Sequence, residues 1–332
     1  MVSLPAHLVA TPVLERLTEG VEGEHPAGGV EGVVLGAGAT AAWVDLGGFV
    51  IAITTREVPL LPNAIALSAG SGGLSHPGVT PGATARLTLG LMTLGPLRIT
   101  WDPTTPPLWD PTVRVPSGLT PEAAAARGVA IVRALGPRPA RYPEWEPEQP
   151  GGADPSTLVR ELARVGLVTA ADPDGAAGLT LLFRAVRDRD PEPAAAAARA
   201  LLGRGPGLTP EGDDLLAAVA GTLAVLGPAT RALEPTGRPP PHPPTREPLL
   251  DPLTPTHGRT TALSATLLAL AWQRRLPEPA GRLLDFGPGP AAGSGWPAAL
   301  ERLDRLGHGS GRAYAAGIGA TAVLLAAGAG VG

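Results

Sequence analysis

The segment from Gly203 to Asp214 reads GRGPGLTPEGDD. Spaced glycines allow unusual backbone angles and close approach of a ligand. They lead into a helix start, where unpaired N–H groups and the helix dipole favour an anion. Gly205, Gly207 and Thr209 are therefore candidate donors to a phosphate or carboxylate. Gly212 falls in the first helical turn, where glycine costs about 1 kcal/mol relative to alanine, so something is expected to approach the backbone there. Asp213 and Asp214 diverge by about 100° on a helix. One could orient backbone amides while the other faces a partner; as a pair they are also a candidate Mg²⁺ site, with no cofactor required by the sequence. The chain holds a control copy, GLTPE at Gly118 to Glu122, which runs on into alanines. What the copies share is helix-starting grammar, with Thr209 and Thr120 as caps and a proline behind each.

Two further clusters have the same character. In THGRTTALSAT, Arg259 precedes a helix start carrying Thr260, Thr261 and Ser264, a set that could clamp a carboxylate or phosphate. In LGHGSGRAYAAG, His308 lies between glycines and Ser310 is placed to cap the last helix. His308 could act as acid, base or hydrogen-bond donor. If the three helix starts converge, they form one anion-binding pocket.

Composition narrows the chemistry. There is no cysteine and no lysine among the 332 residues, so all 26 basic side chains are arginine. Thiol nucleophiles, Schiff bases and the P-loop lysine are excluded. A net charge of −4 argues against a nucleic-acid partner. No basic segment precedes an apolar run at the N-terminus, and the apolar Ala313–Val331 run reads as a buried core helix. No membrane association and a cytoplasmic location are expected.

The elements that must position these residues fall into two groups. Short alternating or apolar runs between residues 30 and 101, punctuated by Gly, Pro and Asn, read as strands. From Thr120 onward the periodicity is helical, with helices expected near 121–135, 156–167, 178–187, 192–202, 213–226, 260–275, 297–306 and 312–327. The fold class is therefore α+β: a β-rich, barrel- or meander-like domain over 1–117, then a mainly α-helical domain over 118–332. A proline-rich loop is expected at 228–256.

Together the three clusters resemble the AllH-like family, formerly a domain of unknown function, with a subunit of oxamate carbamoyltransferase as its best-known member. GPGLTPEGDD followed by LLAAVAGTL looks like the family's GxGLTPSGDDFLxG; GRTTALSATLL is similar to RTTxxS, and GHGSGRAYAAGI to GHSSGxDxxxG. The resemblance covers roughly 150–330 and is looser over the β-rich region. It implies phosphorolysis of oxalurate to oxamate and carbamoyl phosphate, or the reverse, within a complex that includes AllF- and AllG-like subunits. The substrates would be small anions, phosphate and a carboxylate-bearing ureide. Catalytic roles would fall to His308, Arg259 and Asp213. Gly205, Gly207, Thr209, Gly212, Thr260, Thr261, Ser264 and Ser310 would bind substrate, with Asp213 and Asp214 available to a metal. Two of the departures from the pattern bear on the chemistry: Glu211 replaces a serine and Ala313 an aspartate. They leave open a non-catalytic partner that binds an anion or another subunit, beside a Mg²⁺-dependent ligase or hydrolase using Asp213 and Asp214.

Overall fold

The computed structural model describes residues 2–18, 29–70, 74–76, 78–116, 119–136, 154–231, 258–286, 295–307 and 309–329. These form two compact units: Met1–Thr112 with Arg275–Glu278, and Val113–Arg274 with Pro279–Gly332.

The first unit is a closed barrel. Its strands are β1 (Val2–Ala10), β2 (Val30–Ala37), β3 (Ala41–Asp45), β4 (Val50–Thr54), β5 (Ala64–Leu67), β6 (Thr84–Thr88), β7 (Leu91–Leu94) and β8 (Leu97–Thr100), with a short β9 (Leu108–Trp109) added on β1. The order β5-β4-β3-β2-β6-β7-β8-β1 closes by antiparallel pairing of β1 with β5. β1 does two jobs: Val2–Pro5 pair in parallel with β8, and Ala6–Val9 pair with β5. Closure leaves none of these eight strands with a bare edge. Alternation sets the inside. Ala42 and Val44 of β3, Ile51 and Ile53 of β4, and Met92 and Leu94 of β7 all enter the core, as period-2 patterning requires. Helix α1 (Thr11–Thr18) follows β1, and Glu15 on it pairs with Arg275 at 2.7 Å.

The second unit is helical: α2 (Pro121–Ala134), α3 (Pro155–Arg164), α4 (Val168–Ala171), α5 (Pro173–Asp188), α6 (Pro191–Leu201), α7 (Glu211–Arg231), α8 (Ala262–Trp272), α10 (Trp296–Asp304) and α11 (Ser310–Ala329), with α9 (Glu278–Leu283) starting in the return segment of the first unit. Four helices begin with the same grammar, a capping side chain followed by proline: Thr120-Pro121, Asp154-Pro155, Asp172-Pro173 and Asp190-Pro191. Each side-chain oxygen accepts a first-turn N–H, while proline has no N–H to leave unpaired. α7 continues through Pro228 to Arg231, so the first four residues of the proline-rich 228–256 segment are helical. Residues 232–256 lie outside the described residues.

α11 runs between α2 and α7, and small residues bring the backbones close. A Cβ on Gly128 would stand 2.5 Å from the Gly319 carbonyl oxygen, and one on Gly317 would stand 2.7 Å from the Ala218 Cβ. Arg312 at the start of α11 donates to the carbonyls of Leu135 (2.7 Å), Gly136 (3.2 Å) and Val165 (2.8 Å). A cation is thereby set against the C-terminal carbonyls of α2 and α3, where dipoles favour it. Among the described residues no helix is long and apolar enough to cross a membrane.

Candidate functional site

The helical unit joins the three motif-bearing segments at the starts of α7, α8 and α11. Thr209 Oγ1 and Ser310 Oγ lie 3.0 Å apart and tie the α7 approach to α11. Thr261 Oγ1 donates to the Leu208 carbonyl at 2.6 Å while accepting the Ser264 N–H at 3.1 Å, so one hydroxyl both caps α8 and holds the glycine loop. Thr260 Oγ1 donates to Asp213 Oδ2, and the Gly203 N–H donates to Asp213 Oδ1 at 2.7 Å.

The adjacent aspartates diverge, as helix geometry requires. Asp213 is the brace, because each carboxylate oxygen takes a hydrogen bond from a different segment. Burial pushes its carboxyl up, opposed by the bonds from Thr260 and Gly203; the Ser264 hydroxyl lies beside it. Asp214 points the other way, toward α11. Burial is the largest influence holding its carboxyl well above the usual carboxylate range; Asp213 and Glu211 push the same way, and the Ser310 hydroxyl opposes them. Its Oδ2 has no hydrogen-bond partner, although the residue is only 3 % exposed. Tyr314, one turn beyond Ser310 on the same face, is fully buried; that burial, then the Asp214 charge, raises its phenol.

Several sequence expectations take a different form. Thr209, expected to cap α7, is engaged with Ser310 instead, and the first α7 bonds run from Asp213 and Asp214 N–H to the Pro210 carbonyl. The control residue Thr120 does cap, accepting the Ala123 N–H at 3.2 Å. Gly212 is required by protein rather than ligand. A Cβ there would overlap the Leu201 carbonyl at the end of α6, and the Gly212 N–H donates to the Arg204 carbonyl at 2.9 Å. Gly205 and Gly207 have φ of +116° and +98°; a Cβ on Gly205 would meet the Glu211 nitrogen at 2.8 Å, whereas the space beside Gly207 is open. Arg259 is exposed and donates through Nη2 to the Arg199 carbonyl at 2.9 Å, in the last turn of α6. Arg204, inside the loop, turns away to Asp172, the cap of α5. His308 lies outside the described residues, as does Gly118 of the control copy.

The two departures from the family pattern have local explanations. Glu211 is turned toward α4, where its carboxylate accepts the Val168 and Thr169 N–H groups at 3.2 and 2.6 Å. That charge is offset in part by these two helix-start N–H donors, which have no partner within the helix. Ala313 is fully buried on α11. For the metal expectation, both oxygens of Asp213 already accept hydrogen bonds, and among the described residues no group of three or more His, Asp or Glu is arranged to hold a metal ion.

Sequence reasoning overlooked Tyr314, Arg312 and the use of Glu211. The spacing Ser310–Tyr314 (i, i+4) was a readable sign that both face one neighbour. Nothing local in the sequence signals the targets of Arg312 or Glu211, which lie 147 to 177 and 42 to 43 residues away.

No curated protein and no solved structure matches the chain. Residues 201–322, which contain all three motif segments, match the family described as oxamate carbamoyltransferase subunit AllH. Over this part of its helical unit the chain is AllH-like, and the family name is that of one subunit of a carbamoyltransferase.

Proposed function

We propose that this chain is a subunit of a carbamoyltransferase-like complex and holds small anionic substrates where α7, α8 and α11 begin. The reaction is phosphorolysis of oxalurate to oxamate and carbamoyl phosphate, or its reverse, or the same step on a related ureide in purine or allantoin catabolism. The observation that carries the reading is the hydrogen-bonded union of the three motif segments, through Thr209–Ser310, Thr261–Leu208 and Thr260–Asp213. Helix starts concentrated in one place suit anions without lysine. Gly205 and Gly207 offer backbone to the ligand, Arg259 supplies a cation from the exposed side, and His308 a proton or hydrogen bond. Among the described residues of the three motif segments Arg259 is the exposed arginine, and companion AllF- and AllG-like subunits complete the charge needed for two anions. The complex is cytoplasmic.

A thermal-shift series with phosphate, carbamoyl phosphate, oxamate and oxalurate, on the chain alone and with its companion subunits, tests this. Ligand at 100 times Kd stabilises the folded state by about 2.7 kcal/mol. A shift for phosphate or carbamoyl phosphate that Arg259→Ala weakens supports the reading. No shift with any of the four in either preparation sinks it.

A further inference from the structure

Thr260 and Thr261 are neighbours at the start of α8, yet each reaches a different end of the glycine loop. A threonine hydroxyl has one proton to give. Thr261 spends it on the Leu208 carbonyl at 2.6 Å, 53 residues away in the chain, and accepts the Ser264 N–H at 3.1 Å. Thr260 spends it on Asp213 Oδ2, and Asp213 Oδ1 in turn takes the Gly203 N–H. The loop is thus held at Gly203 through Asp213 and at Leu208 directly, and neither threonine keeps a proton for an anion. A trans peptide is planar, with its N–H opposite its C=O. With the Leu208 oxygen drawn to Thr261, the Thr209 N–H points away from that hydroxyl. Among the described residues the N–H groups of Gly207, Leu208 and Thr209 have no hydrogen-bond partner. Gly205, Pro206, Gly207 and Leu208 are exposed, and the space beside Gly207 is open.

We propose that Thr261 is the positioning residue of this loop: by binding the Leu208 carbonyl it turns that oxygen inward and leaves the Thr209 N–H, beside those of Gly207 and Leu208, to a bound anion. The assignment rests on the anion-holding reading above and deepens it. Recognition is by backbone, and the two threonines act through the loop rather than on the substrate. The reason is one of sign. A carbonyl oxygen carries partial negative charge, so turned outward it repels phosphate at the place where an N–H would bind it. Two features make the pin necessary. Gly207 has a φ of +98° and no side chain, so it does not fix the peptides on its flanks. Leu208 is 45 % exposed, so packing does not hold its backbone either.

The test uses the full chain, alone and assembled with its companion subunits, with inorganic phosphate as the probe. Thr261→Val keeps the shape of the side chain and removes the hydroxyl. Calorimetry well below melting is expected to show phosphate binding weakened by about 10–100-fold, as for the loss of hydrogen bonds to a charged group. Thr261→Ser keeps the hydroxyl and should bind phosphate as wild type does. Loss of the α8 cap alone would lower the melting temperature of Thr261→Val and leave the affinity of the folded protein where it was. Magnetic resonance on isotope-labelled chain separates positioning from direct contact. Without phosphate, the Leu208 carbonyl resonance should already move in Thr261→Val; in wild type, phosphate should shift the amide resonances of Gly207, Leu208 and Thr209. Folded Thr261→Val with wild-type affinity, or bound phosphate that leaves those three amides unmoved, overturns the assignment while leaving carbamoyl transfer intact. If Thr261→Val does not fold, Thr261→Gly, which keeps a tolerated cap residue, and the wild-type titration decide on the same terms. No phosphate binding by wild type in either preparation also overturns the assignment, and the thermal shifts with the other three anions then show whether the carbamoyl-transfer reading falls with it.

Discussion

Thr209 Oγ1 and Ser310 Oγ stand 3.0 Å apart although 101 residues separate them in the chain. This one bond joins the end of the glycine loop to the start of the last helix. A double-mutant cycle of Thr209→Val and Ser310→Ala, read by urea unfolding, should give a coupling energy of about 0.5–1.5 kcal/mol, as for a neutral side-chain hydrogen bond. A coupling indistinguishable from zero would mean that the two helix starts are held together by other contacts.

Gly212 and Gly207 should respond oppositely to ligand. At Gly212 an added methyl collides with the Leu201 carbonyl, which belongs to the backbone and cannot step aside. Gly212→Ala is expected to destabilise the unliganded chain by about 1–3 kcal/mol, as overpacking does. Gly207 has open space but a φ of +98°, so alanine there strains only the loop. Its effect should be found in ligand affinity more than in stability. Comparing melting temperatures and phosphate-induced shifts of the two variants checks both statements.

The pH dependence follows from the raised carboxyls of Asp213 and Asp214. A carboxyl raised in the folded state binds its proton more tightly there than in the unfolded chain. Its stabilising contribution is complete below the ordinary value of 3.8 and is lost as pH rises through the folded-state value. Asp154 and Asp188 are lowered, chiefly by hydrogen bonds from the Thr157 amide and from Arg187 respectively, and act in the opposite sense at acid pH. The difference between wild type and Asp214→Asn isolates one group. Relative to the variant, wild type should lose about 1.4 kcal/mol per pH unit from near pH 4 upward until Asp214 ionises. Parallel stability curves for the two proteins would show Asp214 to be ionised when folded.

Glu211 tests whether departure from the family serine signals lost chemistry. Its carboxylate is engaged at the Val168 and Thr169 amides rather than at the glycine loop. Glu211→Gln should lower stability by about 0.5–2 kcal/mol, the range for loss of a cap, and leave phosphate and oxamate affinity unchanged in calorimetry. A marked gain in anion affinity would instead mean that the Glu211 charge reaches the bound anion.

Much of the helical unit was legible because its signals are local. A cap followed by proline marks where α2, α3 and α6 begin, since capping reaches only two or three residues along the chain; α5 carries the same signal at Asp172-Pro173 but was expected to start at 178, five residues late. The strands of the first unit were legible from period-2 alternation between 30 and 101. β1 was not, because it contains Pro5 and is defined by partners 56 to 95 residues away, Ile65 and Leu97 among them. Without β1 the strands read as an open meander or a barrel with equal right.

The candidate site divides along the same line. Residue types and spacing by themselves marked the glycine loop, the paired aspartates and the hydroxyl-bearing helix starts, since short-range geometry governs caps, dipoles and the divergence of neighbours on a helix. Only the tertiary structure decided which atoms are already used. Gly212 serves the Leu201 carbonyl, Glu211 serves α4, Asp213 is saturated, and Asp214 keeps a free buried oxygen. Those outcomes depend on hydrogen bonds and burial between segments distant in sequence, and no local pattern carries them.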